Sequence, residues 1–374
     1  MTLTIPWPCK ARTPTPTPTP TPTHRHSRSS SPTTISSLAF KHKHNNNLKL
    51  NNNSISFPIG VGGVFSPARI PMAADDREYD DGKPRNNLPE KTDHLRRRSR
   101  FLSEKATVGV IIGMHLLCLW APFTFTWGAF WVAVGLYFIT GLLGITLSYH
   151  RNLSHRSFKI PKWLEYSFAY CGAQALQGSP IDWVSTHRYH HQFSDSDKDP
   201  HSPREGFWFS HVGWLFDTRY IIQRNEKPSN VGDLEQQGFY RFIKSTYGVH
   251  PLLLGGLLYA MGGASYIVWG MGVRIVWVYH ITWLVNSACH VWGRRVWNTG
   301  DSSRNNWWVA VVAFGEGWHN NHHAFQYSAR HGLEWWQFDM TWYAVRLLQA
   351  AGFATHVKLP AAAHKKRLNM IDIN

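Results

Sequence analysis

Polar and apolar positions divide this chain unevenly. Residues 1–100 hold no long apolar run. Four apolar, uncharged windows follow, at about 106–125, 127–149, 249–269 and 273–291. Each approaches the ~20 residues that cross a bilayer as a helix. A short turn after Pro122 separates the first two, and the second two are interrupted at 270–272. Short connections make antiparallel neighbours, so the pattern predicts four transmembrane helices in two hairpins. Both termini and the long middle loop then lie on one side of the membrane. The stretch from Arg151 to Thr246 and the tail after His290 are polar and rich in His and Trp. They are expected to form a helical cap on one membrane face. Residues 166–181 are apolar but contain Gly, Gln and Pro, which places them along the interface or inside the cap. The fold class is therefore all-α and integral to the membrane.

Charge changes the picture mainly at the N-terminus. The formal net charge is +16, yet residues 1–74 hold eight Lys or Arg and no Asp or Glu, leaving about +8 for the rest. That remainder suits basic loops beside a membrane, and no nucleic-acid-binding motif accompanies it. The same 74 residues hold nineteen Ser or Thr, a Thr-Pro tract from Thr13 to Thr23 and two Asn triplets. Basic, hydroxyl-rich and free of acid is the composition of an organellar transit peptide, and no apolar stretch marks a secretory signal. Ser, Thr and Pro outweigh Arg, which favours the plastid. We expect residues 1–72 to be that peptide, 73–100 a charged linker, 101–358 the membrane domain and 359–374 a C-terminal tail. Cys9, Cys118, Cys171 and Cys289 include no Cys-x-x-Cys pair, so neither a disulfide framework nor a Cys-based zinc site is expected.

The chemistry is carried by histidine, of which there are twenty-two. Three clusters stand out: His150-Arg-Asn-Leu-Ser-His155, His187-Arg-Tyr-His190-His191 and His319-Asn-Asn-His322-His323. In a helix the last two put residues i, i+3 and i+4 on one face, so three imidazoles in each converge. The spacing of five in the first cluster would splay on a straight helix, and a distorted helix end is needed to bring both rings inward. His290 lies four residues after Asn286, at the exit of the fourth helix. Nine imidazoles suit two metal ions, with room for water or dioxygen, although imidazole accepts iron, zinc, copper or nickel alike. A metal transporter would need polar groups at the midplane of its helices, whereas these clusters sit at the membrane edge. A carboxylate-bridged di-iron site would repeat Glu-x-x-His, a pattern found only at Glu316 to His319. Glu316, Asp182, Asp195, Asp197 and Asp199 are candidate acceptors for the outer ring nitrogens, or else cap and turn residues. His115, His211, His250 and His280 receive no role.

These clusters, with Asp199-Pro-His201, Phe209-Ser-His-Val-Gly-Trp214 and Thr282-Trp-Leu-Val-Asn-Ser-Ala-Cys-His290, resemble the membrane fatty-acyl desaturases of the stearoyl-CoA desaturase type. The flank from His191 to Phe216 looks most like the plant branch. The resemblance implies two iron ions held by His150, His155, His187, His190, His191, His290, His319, His322 and His323, with Asn286 holding a metal-bound water. It implies that dioxygen and two electrons remove two hydrogens from an unactivated acyl chain. Gln177, Trp183 and Thr282 are implied to shape the bend of a substrate tunnel. The plastid members of that branch imply a palmitoyl chain on galactolipid, desaturated at delta-7. The alternatives are a delta-9 acyl-CoA or acyl-lipid desaturase of the endoplasmic reticulum, or a membrane fatty-acyl hydroxylase. Gln192 and Asn321 depart from the Lys and Tyr of animal acyl-CoA enzymes, which weakens any expectation of coenzyme A recognition. With no His-Pro-Gly-Gly segment of a fused cytochrome b5, electrons are expected from a separate donor: ferredoxin in a plastid, cytochrome b5 in the endoplasmic reticulum.

Overall fold

The structure, a computed structural model, describes residues 105–216 and 230–368, all within the unit that runs from Lys83 to Asn374. The expected transit peptide and charged linker lie outside the described residues. Among those described there is no β-strand, only the isolated bridges Lys159↔Thr355, Arg294↔Asn305 and Asn305↔Trp318. α1 runs over Lys105–Cys118, and a turn at Ala121–Phe123 leads to α2, Trp127–Ser154. Thr126 caps α2 by accepting from the Ala129 N–H at 3.1 Å. α3 (Lys162–Ala173), α4 (Pro180–Phe193) and α5 (Gly238–Ser245) follow, with one-turn helices between α4 and α5. α6 covers Val249–Val291. The remainder forms α7 (Trp307–Val312), α8 (His319–Ala324), α9 (Met340–Ala350) and α10 (Ala362–Leu368). Within the expected tail, α10 packs its His364 ring edge-on to Phe325 at 5.1 Å.

α2 and α6 are long and apolar enough to cross a membrane. Large apolar side chains on their flanks face outward, among them Trp131, Leu252, Leu253 and Leu257. An apolar exterior of this kind marks a surface that meets a membrane or a partner.

Two departures from the sequence reading shape the site. The break in the second apolar pair is not at 270–272, where Val268–Val273 continues as π-helix. It falls at Gly262 and Gly263, and Gly263 has φ +63° and ψ −147°, a combination open to glycine and closed to side-chain-bearing residues. Beyond it the chain packs back on itself, so that a Cβ on Gly270 would come within 2.8 Å of Leu258 Cδ1.

The second departure is in α2, which is α-helical to Tyr137 and π-helical over Phe138–Ser154. A π-helix bonds residue i to i+5, and the His155 N–H donates to the His150 carbonyl at 3.2 Å. Residues five apart then share a face, so the spacing that would splay on an α-helix brings His150 and His155 together.

α3 lies tightly against this π segment. A Cβ on Gly144 would meet the Gly172 backbone N at 2.4 Å, and one on Gly172 would meet the Tyr149 ring at 2.5 Å. Since backbone cannot rotate aside, Gly144→Ala is expected to cost about 1–3 kcal/mol by overpacking. It should lower the unfolding temperature of the detergent-solubilised protein by several degrees, and an unchanged temperature would mean the helices are free to separate.

Candidate metal centre

Each histidine cluster owes its position to local sequence. Ser179 caps α4, its Oγ accepting from the Asp182 N–H at 3.3 Å, and Pro180 occupies the first helical position. The i, i+3, i+4 spacing then turns His187, His190 and His191 to one side. α8 is held by its two asparagines. Asn320 Oδ1 accepts from the Val296 and Trp297 N–H groups at 2.7 and 2.8 Å. Asn321 Oδ1 accepts from Trp297 Nε1 and Asn305 Nδ2, while its Nδ2 donates to the His331 carbonyl and Gln337 Oε1. The glycines before α8 are steric necessities. Gly315 has φ +106°, and a Cβ on Gly317 would sit 2.1 Å from the Ala310 N.

The fold brings the nine histidines into two groups. One is His150, His155, His187, His191 and His322; the other is His190, His290, His319 and His323. Within each group one nitrogen per ring lies within 4.8 Å of the others, an arrangement that could hold a metal ion. Nε2 atoms face one another at short range: His155 to His187 at 2.8 Å, His191 to His322 at 2.9 Å, His150 to His322 and His290 to His319 at 3.1 Å. Two nitrogens bound to one ion at about 2.1 Å, with a right angle between them, stand about 3 Å apart.

Several nitrogens meeting at one point cannot all be paired by hydrogen bonds, since a neutral imidazole has one hydrogen and one lone pair. A shared cation removes the conflict. His323 makes the same point singly: Nδ1–H donates to Asp301 at 2.7 Å, and its buried Nε2 has no hydrogen-bond partner.

Carboxylates behind the rings set which nitrogen faces inward. His190 Nδ1–H donates to Asp199 at 2.9 Å, Asp195 Oδ1 lies 3.0 Å from His290 Nδ1, and Glu316 Oε2 lies 2.7 Å from His150 Nδ1. Such outer acceptors fix the tautomer and raise ligand basicity. Arg151, fully buried on the same π turn as His150, bonds Glu316, Asp339 and the Ala329 carbonyl.

Protonation follows from these contacts. Burial, then repulsion from neighbouring rings, holds His155, His187, His191, His319 and His322 well below the usual imidazole value, so they are neutral with free lone pairs. Burial would also lower His190, but Asp199 raises it above that value. Burial works to raise Asp195, yet the bonds from His290 and Ser302 bring it down to about 2. Against burial, Arg151 leads the groups that keep Glu316 ionised.

Of the acids singled out from sequence, Glu316, Asp195 and Asp199 reach histidines. Asp182 does not: it bonds Ser179 and pairs with Lys244 at 2.7 Å, the duty of a helix-start residue. Asp197 is exposed. Missed were Asp301, Arg151, His331, which lies 3.0 Å from Glu316, and the acid-binding role of His201, 3.6 Å from Asp199.

A cavity opens onto the two groups. His150, His187, His190, His319 and Glu316 form its polar end, and Gly141, Ile145, Val278, Ile281 and Val285 from α2 and α6 line its apolar part. Asn286, Trp183 and Thr282 line it too. Gln177 is not in that wall; it bonds the two that are, accepting from Trp183 Nε1 at 3.2 Å and donating to Thr282 Oγ1 at 3.0 Å.

Comparison with known proteins accords with this geometry. The family described as fatty acid desaturase matches residues 125–358. A chloroplastic palmitoyl-monogalactosyldiacylglycerol delta-7 desaturase of Arabidopsis thaliana is 74% identical over 261 residues, 70% of this chain and 70% of that protein. Delta-9 acyl-lipid desaturase 1 of the same plant is 60% identical over 69% of this chain and 84% of its own length. Icosanoyl-CoA 5-desaturase of Limnanthes douglasii is 57% identical over 69% of this chain and 73% of its own.

Proposed function

The chain belongs to the fatty acid desaturase family, and from that premise we propose that it places a cis double bond at delta-7 of palmitoyl chains on monogalactosyldiacylglycerol in a plastid membrane. It is a fatty-acyl desaturase, an oxidoreductase. One observation carries the substrate. Identity is 74% to the plastid delta-7 enzyme but 57–60% to plant relatives named for acyl-CoA or delta-9 acyl-lipid substrates. The acid-free first 74 residues support the same compartment.

In this reading His150, His155, His187, His191 and His322 hold one iron, and His190, His290, His319 and His323 hold the other. Asn286, in the cavity wall, holds a water beside them. Iron bound there would supply, with dioxygen and electrons from a separate donor (ferredoxin in a plastid), the oxidising chemistry that desaturation of the chain requires. The protein's own part is to keep His155, His187, His191, His319 and His322 neutral by burial and to hold rings turned inward through Asp195, Asp199, Asp301 and Glu316. Its apolar cavity excludes water and presents one carbon pair. Four membrane crossings in two hairpins suit the reversal after α1 and the break at Gly262 and Gly263.

The test is expression of residues 73–374 in a galactolipid-making host that lacks palmitoyl desaturation. New delta-7 palmitoyl unsaturation confined to monogalactosyldiacylglycerol is expected, and residues 1–72 fused to a fluorescent reporter should deliver it to plastids. Delta-9 products on acyl-CoA or phospholipid, with the reporter on the endoplasmic reticulum, would replace this substrate by the acyl-CoA or delta-9 acyl-lipid alternative. A hydroxy-acyl product would replace desaturation by hydroxylation.

A further inference from the structure

Basic side chains collect on one face outside the histidine groups. From Gln236 to Gly300 the chain has no Asp or Glu, and near the end of that stretch Arg294 and Arg295 are both exposed. The chain then turns back on itself: the Arg294 N–H donates to the Asn305 carbonyl at 3.0 Å, and the Asn305 N–H to the Arg294 carbonyl at 2.8 Å. That pairing sets Arg304 alongside, its Nη1 donating to the Gly293 carbonyl at 3.3 Å. α10 joins the same face. The Asn298 N–H donates to the Leu368 carbonyl at 2.9 Å, and Leu368 packs against Trp297, Ala324 and Phe325. It brings Lys366 and Arg367, also exposed. None of these five cations pairs with a carboxylate among the described residues. Asp301 is taken by His323, Thr299 and Ser303, and Glu334, beside Leu333 of the same cluster, sets one exposed acid against the five.

Like charges gathered without counter-charges repel one another and draw an acidic partner. What lies beneath the face says which partner. The Val296 N–H donates to Asn320 Oδ1 at 2.7 Å, and Trp297 Nε1 donates to Asn321 Oδ1 at 2.9 Å. Asn320 follows His319 of the second group in the chain, and Asn321 precedes His322 of the first. One hydrogen bond from Val296 and one from Trp297 therefore join this face to a neighbour of a ligand in each group. Anionic lipid would answer the charges alone. A carrier of electrons uses the charges and the short path together.

We infer that this face docks a small acidic one-electron carrier, in a plastid a ferredoxin, whose electrons enter through residues 296–297 and 320–321. The inference rests on the desaturase and plastid readings. Desaturation joins –CH2–CH2–, O2, two electrons and two protons to give –CH=CH– and two waters. Each double bond therefore takes two encounters, and each encounter oxidises one carrier molecule by one electron. Encounters of this kind use small, weak interfaces, and charge complementarity sets how fast and in which orientation they form.

The test measures equilibrium binding of oxidised ferredoxin to the full-length protein in lipid nanodiscs by surface plasmon resonance. Two double variants, Arg294→Glu with Arg295→Glu and Lys366→Glu with Arg367→Glu, are compared with Lys159→Glu with Arg346→Glu, which reverses as many exposed charges elsewhere. Each of the first two is expected to raise Kd by at least about 10-fold, since like charges then face one another, while the control stays within about twofold of wild type. Wild-type Kd should rise with added salt, which screens exposed charges, and the two patch variants should depend on salt less. Wild-type affinity in both patch variants would overturn the inference and leave the plastid reading standing; if those variants also lost co-purifying anionic lipid, the face would belong to the membrane. Equal weakening by the control would overturn it too, because net charge alone would then explain binding. A wild type that binds cytochrome b5 and not ferredoxin would strike the plastid reading, and this inference with it.

Discussion

His322→Ala is expected to reduce turnover by at least about 100-fold and to strip iron from one site while leaving the other loaded. His322 belongs to the group with His150, His155, His187 and His191, and its Nε2 lies 3.1 and 2.9 Å from those of His150 and His191. Nothing in the second group can replace it, because His190, His290, His319 and His323 converge on a different point. His323→Ala should show the mirror result, with loss from the second site. Iron content should therefore fall by about half in either variant, and nearly to zero in the double variant. Asp301→Asn keeps the His323 ligand but no longer draws its Nδ1–H to a full negative charge. The expected loss there is smaller, about 10–100-fold, as for other outer partners of metal-bound histidine. His250→Ala is the control, since that ring bonds Thr246 and packs on Tyr170, away from both groups. The measurement is iron per chain beside turnover, with accumulation in the membrane as the check on folding. Full iron and full turnover in both single alanine variants would rule out the two-site cage.

The sequence made the site legible and its support largely illegible, for reasons of distance along the chain. His187, His190 and His191 are neighbours whose shared face follows from helical spacing alone. His319, His322 and His323 are read the same way, but the three rings of each cluster do not converge on one point as the spacing suggested: His322 joins His187 and His191, and His190 joins His319 and His323. The pair His150 and His155 needed a distorted helix, and the structure provides a π-helix of seventeen residues. No residue from Phe138 to Ser154 announces that geometry, and the close approach of the segment to α3 at Gly144 and Gly172 involves residues far from the two histidines in sequence. The break in α6 could be placed by composition at Gly255–Gly256, at Gly262–Gly263 or at Gly270 and Gly272. Only the backbone angles single out Gly262 and Gly263. Asp301 and His331 could not be tied to the site from spacing, because each meets partners across loops whose path is set by tertiary packing. Arg151 lay in plain view between His150 and His155, but its partners Glu316 and Asp339 are more than 160 residues away. Asp182 shows the opposite failing. Three residues after Ser179, it fits a capping pattern at a helix start, and local sequence was the better guide there than nearness to a histidine.

Gln177→Leu is expected to scatter the double bond over neighbouring positions while iron content stays at the wild-type level. Gln177 accepts from Trp183 Nε1 and donates to Thr282 Oγ1 and to the Val278 carbonyl, and so ties α4 to α6 across the cavity. Leucine is apolar, one atom shorter, and has no group to accept or donate these bonds. Trp183 Nε1 then loses its acceptor, at a cost on the order of 1–3 kcal/mol for an unpaired buried donor. The indole relieves that cost by turning, and Trp183 is stacked on His187 at 5.0 Å between ring centres, at the wall where the chain would bend. Methylenes of a saturated chain are chemically alike, so position is chosen by shape and not by reactivity. Each ~1.4 kcal/mol removed from the preferred register raises the neighbouring product about tenfold relative to the main one. A wild type with a single unsaturation site should therefore become a variant with a readable mixture, and kcat should fall as poorly placed chains bind without reacting. Thr282→Val, which removes one bond and preserves volume, should scatter the products less. Positional analysis of the fatty acids by mass spectrometry reads both variants. A single product at wild-type rate from Gln177→Leu would mean that the wall around Trp183 holds its shape without the amide, and that the bend is fixed by the packing of Trp183 against Tyr149 and His187 alone.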